Sequence, residues 1–118
     1  MKSIGIIGSR RRNTQSDCDI VINKFREIYE EGDEIVSGGC PEGGDNFAEQ
    51  VAKLDNITIK IYYAKWKVYG RRAGYIRNVF IAQDADVLIA CVAADRKGGT
   101  EHTIKEYTKL GKKDLILV

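Results

Sequence analysis

The sequence lacks the features that identify a metal site, a disulfide framework or a membrane segment. It has one histidine, His102, and three cysteines with no CxxC pair, namely Cys18, Cys40 and Cys91. This odd number of separated cysteines indicates neither a disulfide framework nor a zinc site. No stretch reaches the roughly 18 apolar residues of a membrane-spanning helix, and the N-terminus has no long apolar leader. We therefore predict a cytoplasmic protein with no metal, no resident cofactor and no membrane partner.

An excess of charge of one sign is also missing. The 118 residues carry 19 basic and 17 acidic side chains, which gives a formal net charge of +2. A dedicated duplex-binding protein usually has a clear basic excess, so any electrostatic attraction for a ligand must be local. A chain of this length with 43% hydrophobic residues predicts one domain over residues 1–118, built around a single core.

Apolar runs typical of β-strands alternate with helical patterns along the chain. The strand-like runs are Ser3–Gly8, Glu34–Ser37, Ile57–Tyr62, Asp86–Val92 and Asp114–Val118. Two helical faces are predicted between them, in Ser16–Glu31 from Ile20, Val21, Phe25, Ile28 and Tyr29, and in Asp45–Leu54 from Phe47, Ala48, Val51 and Ala52. Continuously apolar strands suit a parallel sheet that is covered on both faces. We predict an α/β fold with a single Rossmann-like, doubly wound, mostly parallel five-stranded sheet and helices on both faces.

Glycine-rich or polar segments follow four of the predicted strands. In a doubly wound sheet, ligands bind just beyond the carboxyl ends of the strands. The segments are Gly8-Ser9-Arg10, Ser37-Gly38-Gly39 leading to Asp45, Trp66 to Asn78, and Lys97-Gly98-Gly99-Thr100. Neither GxGxxG nor GxxxxGK[ST] occurs, so the standard dinucleotide loop and the Walker A loop are excluded. We predict that the four segments converge on one ligand site.

Together these segments resemble the SLOG superfamily, and within it the small stand-alone proteins related to YspA and YpsA. The resemblance rests on two Gly-Gly loops and on WKVYGRRAGYIRN, which has the form W-x-x-Y-G-x-x-A-G-x-x-R-N. It implies a Rossmann-like sheet that binds a nucleotide or a nucleotide-derived, phosphate-bearing ligand. The residues that it marks for ligand binding are Gly8, Ser9, Arg10, Ser37, Gly38, Gly39, Asp45, Trp66, Arg72, Arg77, Asn78, Gly98, Gly99 and Thr100.

The same superfamily contains the LOG phosphoribohydrolases, which split nucleoside monophosphates with an arginine and a glutamate. Arg77 matches that arginine, whereas Thr103 stands where the family places its glutamate. Glycosidic cleavage needs a carboxylate beside the ribosyl centre, and Glu101 is the nearest substitute. The candidate catalytic residues are therefore Arg77 and Glu101. We predict a sensor or binding protein, with LOG-like hydrolysis as the alternative.

Several of these residues have an equally simple structural interpretation. Gly8 and Gly38-Gly39 allow tight turns, and Asp45 suits capping of the next helix as well as binding of a ribose hydroxyl. Trp66 and Tyr69 suit a core or a dimer contact as well as stacking on a base. We interpret Cys40 as a packed thiol and His102 as an ordinary helix residue.

A second hypothesis is binding of single-stranded nucleic acid. The segments Arg10-Arg11-Arg12 and Lys65–Arg72 combine cations with aromatic rings, a pattern typical of a single-strand groove. The DprA branch of the superfamily implies the same activity. Because the net charge is small, we rank a nucleic-acid partner below a nucleotide-derived small molecule, bound by a chain that we predict to be a homodimer.

Overall fold

A computed structural model describes residues 1–118 as an alternation of strands and helices. In chain order the elements are β1 (Ser3–Gly8), α1 (Gln15–Ile28), β2 (Glu34–Ser37), α2 (Gly44–Leu54), β3 (Ile59–Ile61), α3 (Trp66–Tyr69), a 3₁₀ turn (Gly70–Arg72), α4 (Ala73–Asp84), β4 (Val87–Cys91), α5 (Gly99–Lys109) and β5 (Leu115–Leu117). None of these helices combines the length and the apolar character needed to cross a bilayer.

The five strands form one sheet in the order β3-β2-β1-β4-β5, and every neighbouring pair is parallel. The predicted Rossmann-like five-stranded sheet is therefore confirmed. From β1 the chain moves outward to β2 and β3, and then returns to place β4 on the other side of β1. The strand order thus reverses between β1 and β4, and this is the position where sheets of this type bind ligands.

Helices cover both faces of the sheet, because side chains alternate between the faces along each strand. On β1, Ile4 and Ile6 pack with residues of α1 and α2, whereas Ile7 packs with residues of α4 and α5. In α2 the predicted face is confirmed, since it is buried at Phe47, Ala48, Val51 and Ala52. Each face of the sheet therefore has its own apolar layer. Where the chain changes from one face to the other, the carboxyl ends of β1 and β4 are left uncovered.

The structure corrects the bounds of the outer elements and the orientation of α1. The edge strands β3 and β5 are shorter than predicted, and α1 ends at Ile28 instead of Glu31. Ile20, which the periodicity placed in the apolar face, is 43% exposed. The residues of α1 that are buried are Cys18, Val21, Ile22 and Phe25. The apolar face of α1 that meets the sheet is therefore rotated toward Cys18 and Ile22, and Ile20 is left on the outer side.

The N-terminal end of β1 is fixed by a buried carboxylate, which makes stability depend on pH. Asp33 accepts hydrogen bonds from the Lys2 amide at 2.8 Å, from Lys2 Nζ at 2.5 Å and from the Glu30 amide at 2.9 Å. Burial by itself raises the pKa of Asp33, but these bonds outweigh it and bring the pKa from 3.8 to about 2.

We expect Asp33→Asn to lower the free energy of unfolding at pH 7 by about 1 to 2 kcal/mol. The folded-state pKa is depressed, so the carboxylate stabilises the fold above the unfolded pKa and loses this effect as the pH falls from about 4 to about 2. Urea denaturation at pH 7 and at pH 2.5 measures this. An equal gap between wild type and variant at both pH values would contradict the prediction.

Candidate functional site

A polar cleft opens at the carboxyl edge of the sheet, where β1 and β4 lie side by side. It has a volume of about 300 Å³, and only three of its fifteen lining residues are hydrophobic. Its walls come from the loop after β1, the start of α2, the helix α4 and the loop that leads from β4 into α5. Nine of the fourteen predicted ligand-binding residues line it, namely Gly8, Ser9, Arg10, Asp45, Arg77, Asn78, Gly98, Gly99 and Thr100.

The other five predicted residues lie outside the lining. Ser37 is fully buried beneath it and donates from Oγ to the Ile6 carbonyl at 2.6 Å. Gly38 and Gly39 belong to the backbone behind the cleft, whereas Trp66, which is 60% exposed, and Arg72 lie on the outer surface. Ser37, Gly38 and Gly39 therefore support the cleft without lining it, and Trp66 and Arg72 face elsewhere.

Arg77 is held at two points and has no acidic partner. Its Nε donates to Asn78 Oδ1 at 2.9 Å, and its Nη1 donates to the Gly38 carbonyl at 2.6 Å. Nη2 has no partner within the protein, and no carboxylate lies within ion-pair distance of the guanidinium. The side chain thus enters the cleft wall as a fixed cation with unused donors.

The start of α5 adds backbone donors to the same cleft. Gly98 is the N-cap with φ of 118°, and no side chain caps the helix. The first amides of a helix have no intrahelical acceptor, so the N–H groups of Gly99 and Thr100 are free to bind an anion. Asn78 Nδ2 donates to the Gly99 carbonyl at 3.3 Å and thereby ties α4 to this turn.

Asp45 is the one carboxylate in the lining, and it points into the protein. Its Oδ2 accepts from the Cys40 amide at 3.1 Å, and its Oδ1 lies 3.0 Å from Ser37 Oγ. Burial raises the pKa of Asp45, while these hydrogen bonds and the nearby Arg77 oppose that effect. The N-cap of α2 is Gly43, without a side-chain hydrogen bond, so the capping role considered for Asp45 is wrong.

The glycine pair after β2 serves the protein's own packing. A Cβ at Gly38 would lie 2.8 Å from both Arg77 Nη1 and Asp45 Oδ2, and a Cβ at Gly39 would lie 2.6 Å from the Tyr63 ring. The Cys40 amide in this loop is also bound by Asp45. The bare backbone of this loop therefore accommodates an arginine and a carboxylate of the same chain.

The arginine run after β1 divides into one free and two bound side chains. Arg11 pairs with Asp95 at 2.6 and 2.8 Å and donates to the Lys97 carbonyl at 2.8 Å, which joins the two loops of the cleft. Arg12 binds Asp17 and two backbone carbonyls. Only Arg10 makes no hydrogen bond or ion pair within the protein. Its charge is therefore available to a ligand in the cleft.

The second candidate catalytic residue, Glu101, does not line the cleft. Its carboxylate forms two hydrogen bonds with Arg96, at 2.8 and 2.9 Å. Thr103 does line the cleft and is 2% exposed. No group of three or more His, Cys, Asp or Glu side chains is arranged to hold a metal ion. The cleft thus has cationic and amide donors, and its sole carboxylate is already hydrogen-bonded.

Several lining residues were missed in the sequence. Lys97 lay inside a predicted segment without being named as a ligand-binding residue, and Arg11 directly adjoins Gly8-Ser9-Arg10. Thr103 was considered only as the replacement of a catalytic glutamate and Cys40 only as a packed thiol, and Ile7 and Ile81 form the apolar floor. Their placement depends on contacts between separate elements, which local sequence does not indicate.

A second, apolar groove lies beside α4 on the β3 side. Its volume is about 390 Å³, and seven of its nine lining residues are hydrophobic. Tyr69, one of the aromatics considered for base stacking, lines this groove, and Arg77 borders both the groove and the cleft. Of the two rings considered for base stacking, Tyr69 thus belongs to this groove, and Trp66 lines neither the groove nor the cleft.

Comparison with known proteins supports the fold, and in sequence it gives a relative that aligns with part of the chain. No family model matches the chain. The chain is similar to the Gene 61 protein of Mycobacterium phage D29, with 32% identity over 65% of this chain, and it spans 65% of that relative's length.

Two solved structures share the architecture. A molybdenum cofactor binding protein from Rippkaea orientalis has a TM-score of 0.77 at 23% identity, over 98% of this chain and 75% of the other. DNA processing protein A from Helicobacter pylori, described as binding single-stranded DNA, has a TM-score of 0.76 at 20% identity, over 98% of this chain and 64% of the other. At these identities, the likeness is one of fold.

Proposed function

We propose that the protein binds a small, phosphate-bearing ligand of the nucleotide class in the polar cleft and acts as a sensor or binding protein. The observation that carries this proposal is the position of Arg77, a guanidinium without an acidic partner, in the same cleft as the free amides at the start of α5. A guanidinium and a helix N-terminus are two groups that phosphate oxygens bind well.

The charges around the cleft support an anionic ligand. Arg10 and Lys97 add two further cations to the lining, and Asp45 is the only acid. Burial raises the pKa of that acid, and its oxygens are turned toward Ser37 and Cys40. Repulsion of a bound anion by Asp45 is therefore weakened, while the cations remain available.

Native mass spectrometry of freshly purified protein tests the proposal, because a retained ligand gives its own mass and stoichiometry. A titration of ¹⁵N-labelled protein with adenosine monophosphate, followed by NMR, complements it. We expect the amide signals of Gly98, Gly99 and Thr100 to move first and to saturate. Shifts confined to other parts of the chain would contradict the proposal.

The alternative of LOG-like hydrolysis makes a different prediction. Because Glu101 is paired with Arg96 and Thr103 replaces the family's glutamate, we expect little or no release of adenine from adenosine monophosphate. Thr103→Glu should raise the rate, since a positioned carboxylate is commonly worth about 10²-fold or more. Chromatography of released base measures both rates. Rapid hydrolysis by the wild type that is abolished in Glu101→Ala would establish an enzyme instead.

A second candidate function, binding of single-stranded nucleic acid, is favoured by the composition of residues 56–83. This segment contains six Lys or Arg residues and six aromatic residues, and no Asp or Glu. Tyr63, Trp66 and Tyr69 in it are exposed. Exposed rings stack on bases and cations follow the phosphates in proteins that bind single strands.

Trp66 allows this second candidate to be tested directly, since it is the only tryptophan. If the surface binds single strands, a dT₁₅ oligonucleotide should quench its fluorescence, and affinity should fall steeply with salt. We expect Tyr69→Ala to weaken the binding by about 1 kcal/mol or more through lost stacking. Lys67→Ala, which removes an exposed cation of the same surface and leaves the rings in place, serves as the comparison and should reduce mainly the salt dependence. Absence of quenching at low salt would leave only the small-molecule proposal.

Four further properties belong to this proposal. They are membership of the SLOG superfamily, a single domain over residues 1–118, a cytoplasmic location and a homodimer. For the homodimer, the support is that α4 exposes two large aromatic side chains, Tyr75 and Phe80. Light scattering of the purified protein tests it, and a mass of one chain would rule the dimer out.

A further inference from the structure

The only histidine of the chain reaches the cleft arginine through one buried amide. Asn78 Nδ2 lies 3.2 Å from His102 Nδ1, and Asn78 Oδ1 accepts from Arg77 Nε at 2.9 Å. Asn78 is 7% exposed, so its amide has little access to water. A short series of contacts therefore runs from α5 through Asn78 to Arg77, although His102 itself does not line the cleft.

The direction of each hydrogen bond in this series follows from the chemistry of Arg77. A guanidinium keeps its Nε proton at all accessible pH values, so the atom of Asn78 that faces it must be the oxygen. The NH₂ group then faces the other way, toward the Gly99 carbonyl and His102 Nδ1. A ring nitrogen that faces an NH₂ group must offer a lone pair. The proton of the neutral imidazole therefore sits on Nε2, which lies 3.4 Å from Glu106 Oε1.

We infer that His102 is a positioning residue for the anion site. In the neutral Nε2–H form it fixes the Asn78 amide, and the amide fixes the Arg77 guanidinium toward the cleft. The effect on ligand binding rests on the proposed function, whereas the positioning itself does not.

Protonation of His102 opposes this arrangement. A proton on Nδ1 would face the Asn78 NH₂ group, donor against donor, and a rotated Asn78 would leave Arg77 Nε without its acceptor. Two further groups face the imidazole ring. They are Glu106 on α5 and Tyr75 on α4, and the Tyr75 and His102 rings are packed edge to face with 4.6 Å between their centroids. The neutral Nε2–H form is therefore the one that holds Asn78 and Arg77 in place.

The positioning is testable without any ligand. Long-range ¹⁵N NMR reads the tautomer of His102 without ambiguity, because the chain has one histidine. We expect the Nε2–H tautomer at pH 8 and a protected Arg77 Nε–H signal, identified by its loss in Arg77→Lys. His102→Leu keeps the side-chain bulk but removes the acceptor, so that signal should shift and exchange faster. An Nδ1–H tautomer, or an Arg77 Nε–H signal that His102→Leu leaves unchanged, would overturn the inference.

The consequence for binding is measured with sulfate, whose charge is constant between pH 5.5 and 8. From NMR shifts of the Gly99 amide, we expect His102→Leu to weaken sulfate binding by about 3- to 10-fold at pH 8, as for one lost hydrogen bond. His102→Gln, which supplies an acceptor in place of the ring nitrogen, should restore most of the affinity. Lys105→Ala, an exposed change on the same helix, is the control.

Two outcomes separate this inference from the proposed function. If wild-type protein shows no sulfate shifts, the proposed anion site fails, while the tautomer and the Arg77 signal still decide the positioning. If wild type binds sulfate and His102→Leu binds it equally well, the positioning role of His102 is wrong although the anion site stands.

Discussion

Gly44→Ala is expected to lower the free energy of unfolding by about 3 kcal/mol or more, or to prevent folding. A Cβ at this first residue of α2 would lie 2.2 Å from the Ile7 carbonyl carbon and 2.3 Å from the Gly8 amide nitrogen. These are backbone atoms of the central strand β1, and they cannot move aside as a flexible side chain can. The helix would therefore have to withdraw from the sheet and open the apolar layer that it shares with α1.

Gly99→Ala provides the matched control for stability. Gly99 is also the first residue of a helix, but a Cβ there would meet nothing within 4 Å. We expect its free energy of unfolding to stay within about 1 kcal/mol of wild type. Urea denaturation followed by circular dichroism measures both variants. Equal stabilities would show that the contact between α2 and β1 tolerates a side chain, and the close approach inferred from Gly44 would be wrong.

Arg77→Ala is expected to weaken binding of adenosine monophosphate by about 2 kcal/mol or more, close to 30-fold, because a charge-assisted pair with the phosphate is lost. The guanidinium also bonds the Gly38 carbonyl and Asn78, so a modest fall in the melting temperature should accompany the loss of affinity. Arg77→Lys keeps the charge but not the two-pronged geometry, and it should give an intermediate affinity.

Arg72→Ala is the matched control for this experiment. Arg72 is an exposed arginine five residues earlier, makes no hydrogen bond or ion pair and does not line the cleft. Calorimetry should show that its affinity is near that of wild type. If Arg77→Ala and Arg72→Ala both bind adenosine monophosphate as wild type does, Arg77 has no role in binding this ligand, and the proposed function loses its main support.

Glycine has three different uses around the cleft. Gly44 lets a helix approach a strand, Gly38 makes room between Arg77 and Asp45, and Gly98 begins α5 with a positive φ at an open surface. All three looked alike in the sequence, because a glycine pair marks a backbone that needs space or freedom without showing which neighbour requires it. Only the residues opposite each glycine distinguish packing from ligand access.

Part of the candidate site could be predicted because the fold itself sets where strand ends meet. Parallel strands with right-handed crossovers bring their carboxyl ends to one edge, so the segments after β1 and β4 had to lie together. This reasoning did not hold for Trp66 and Arg72. Both follow β3, which is an edge strand, and they lie away from the point where the strand order reverses.

The sequence by itself determined the alternation of strands and helices, the parallel sheet and the helices on both of its faces. These features arise from apolar periodicity within each segment, which is a local property. The division of the predicted single core into two apolar layers came from the structure. Tertiary structure alone decided which charges remain free. Arg11 and Arg12 are bound by Asp95 and Asp17, Asp45 turns inward, and Arg77 is left without an acid. The Arg11–Asp95 pair and the Arg77–Gly38 bond join residues distant in the chain. No local pattern specifies them, because an arginine has the same sequence signature whether it is bound or free.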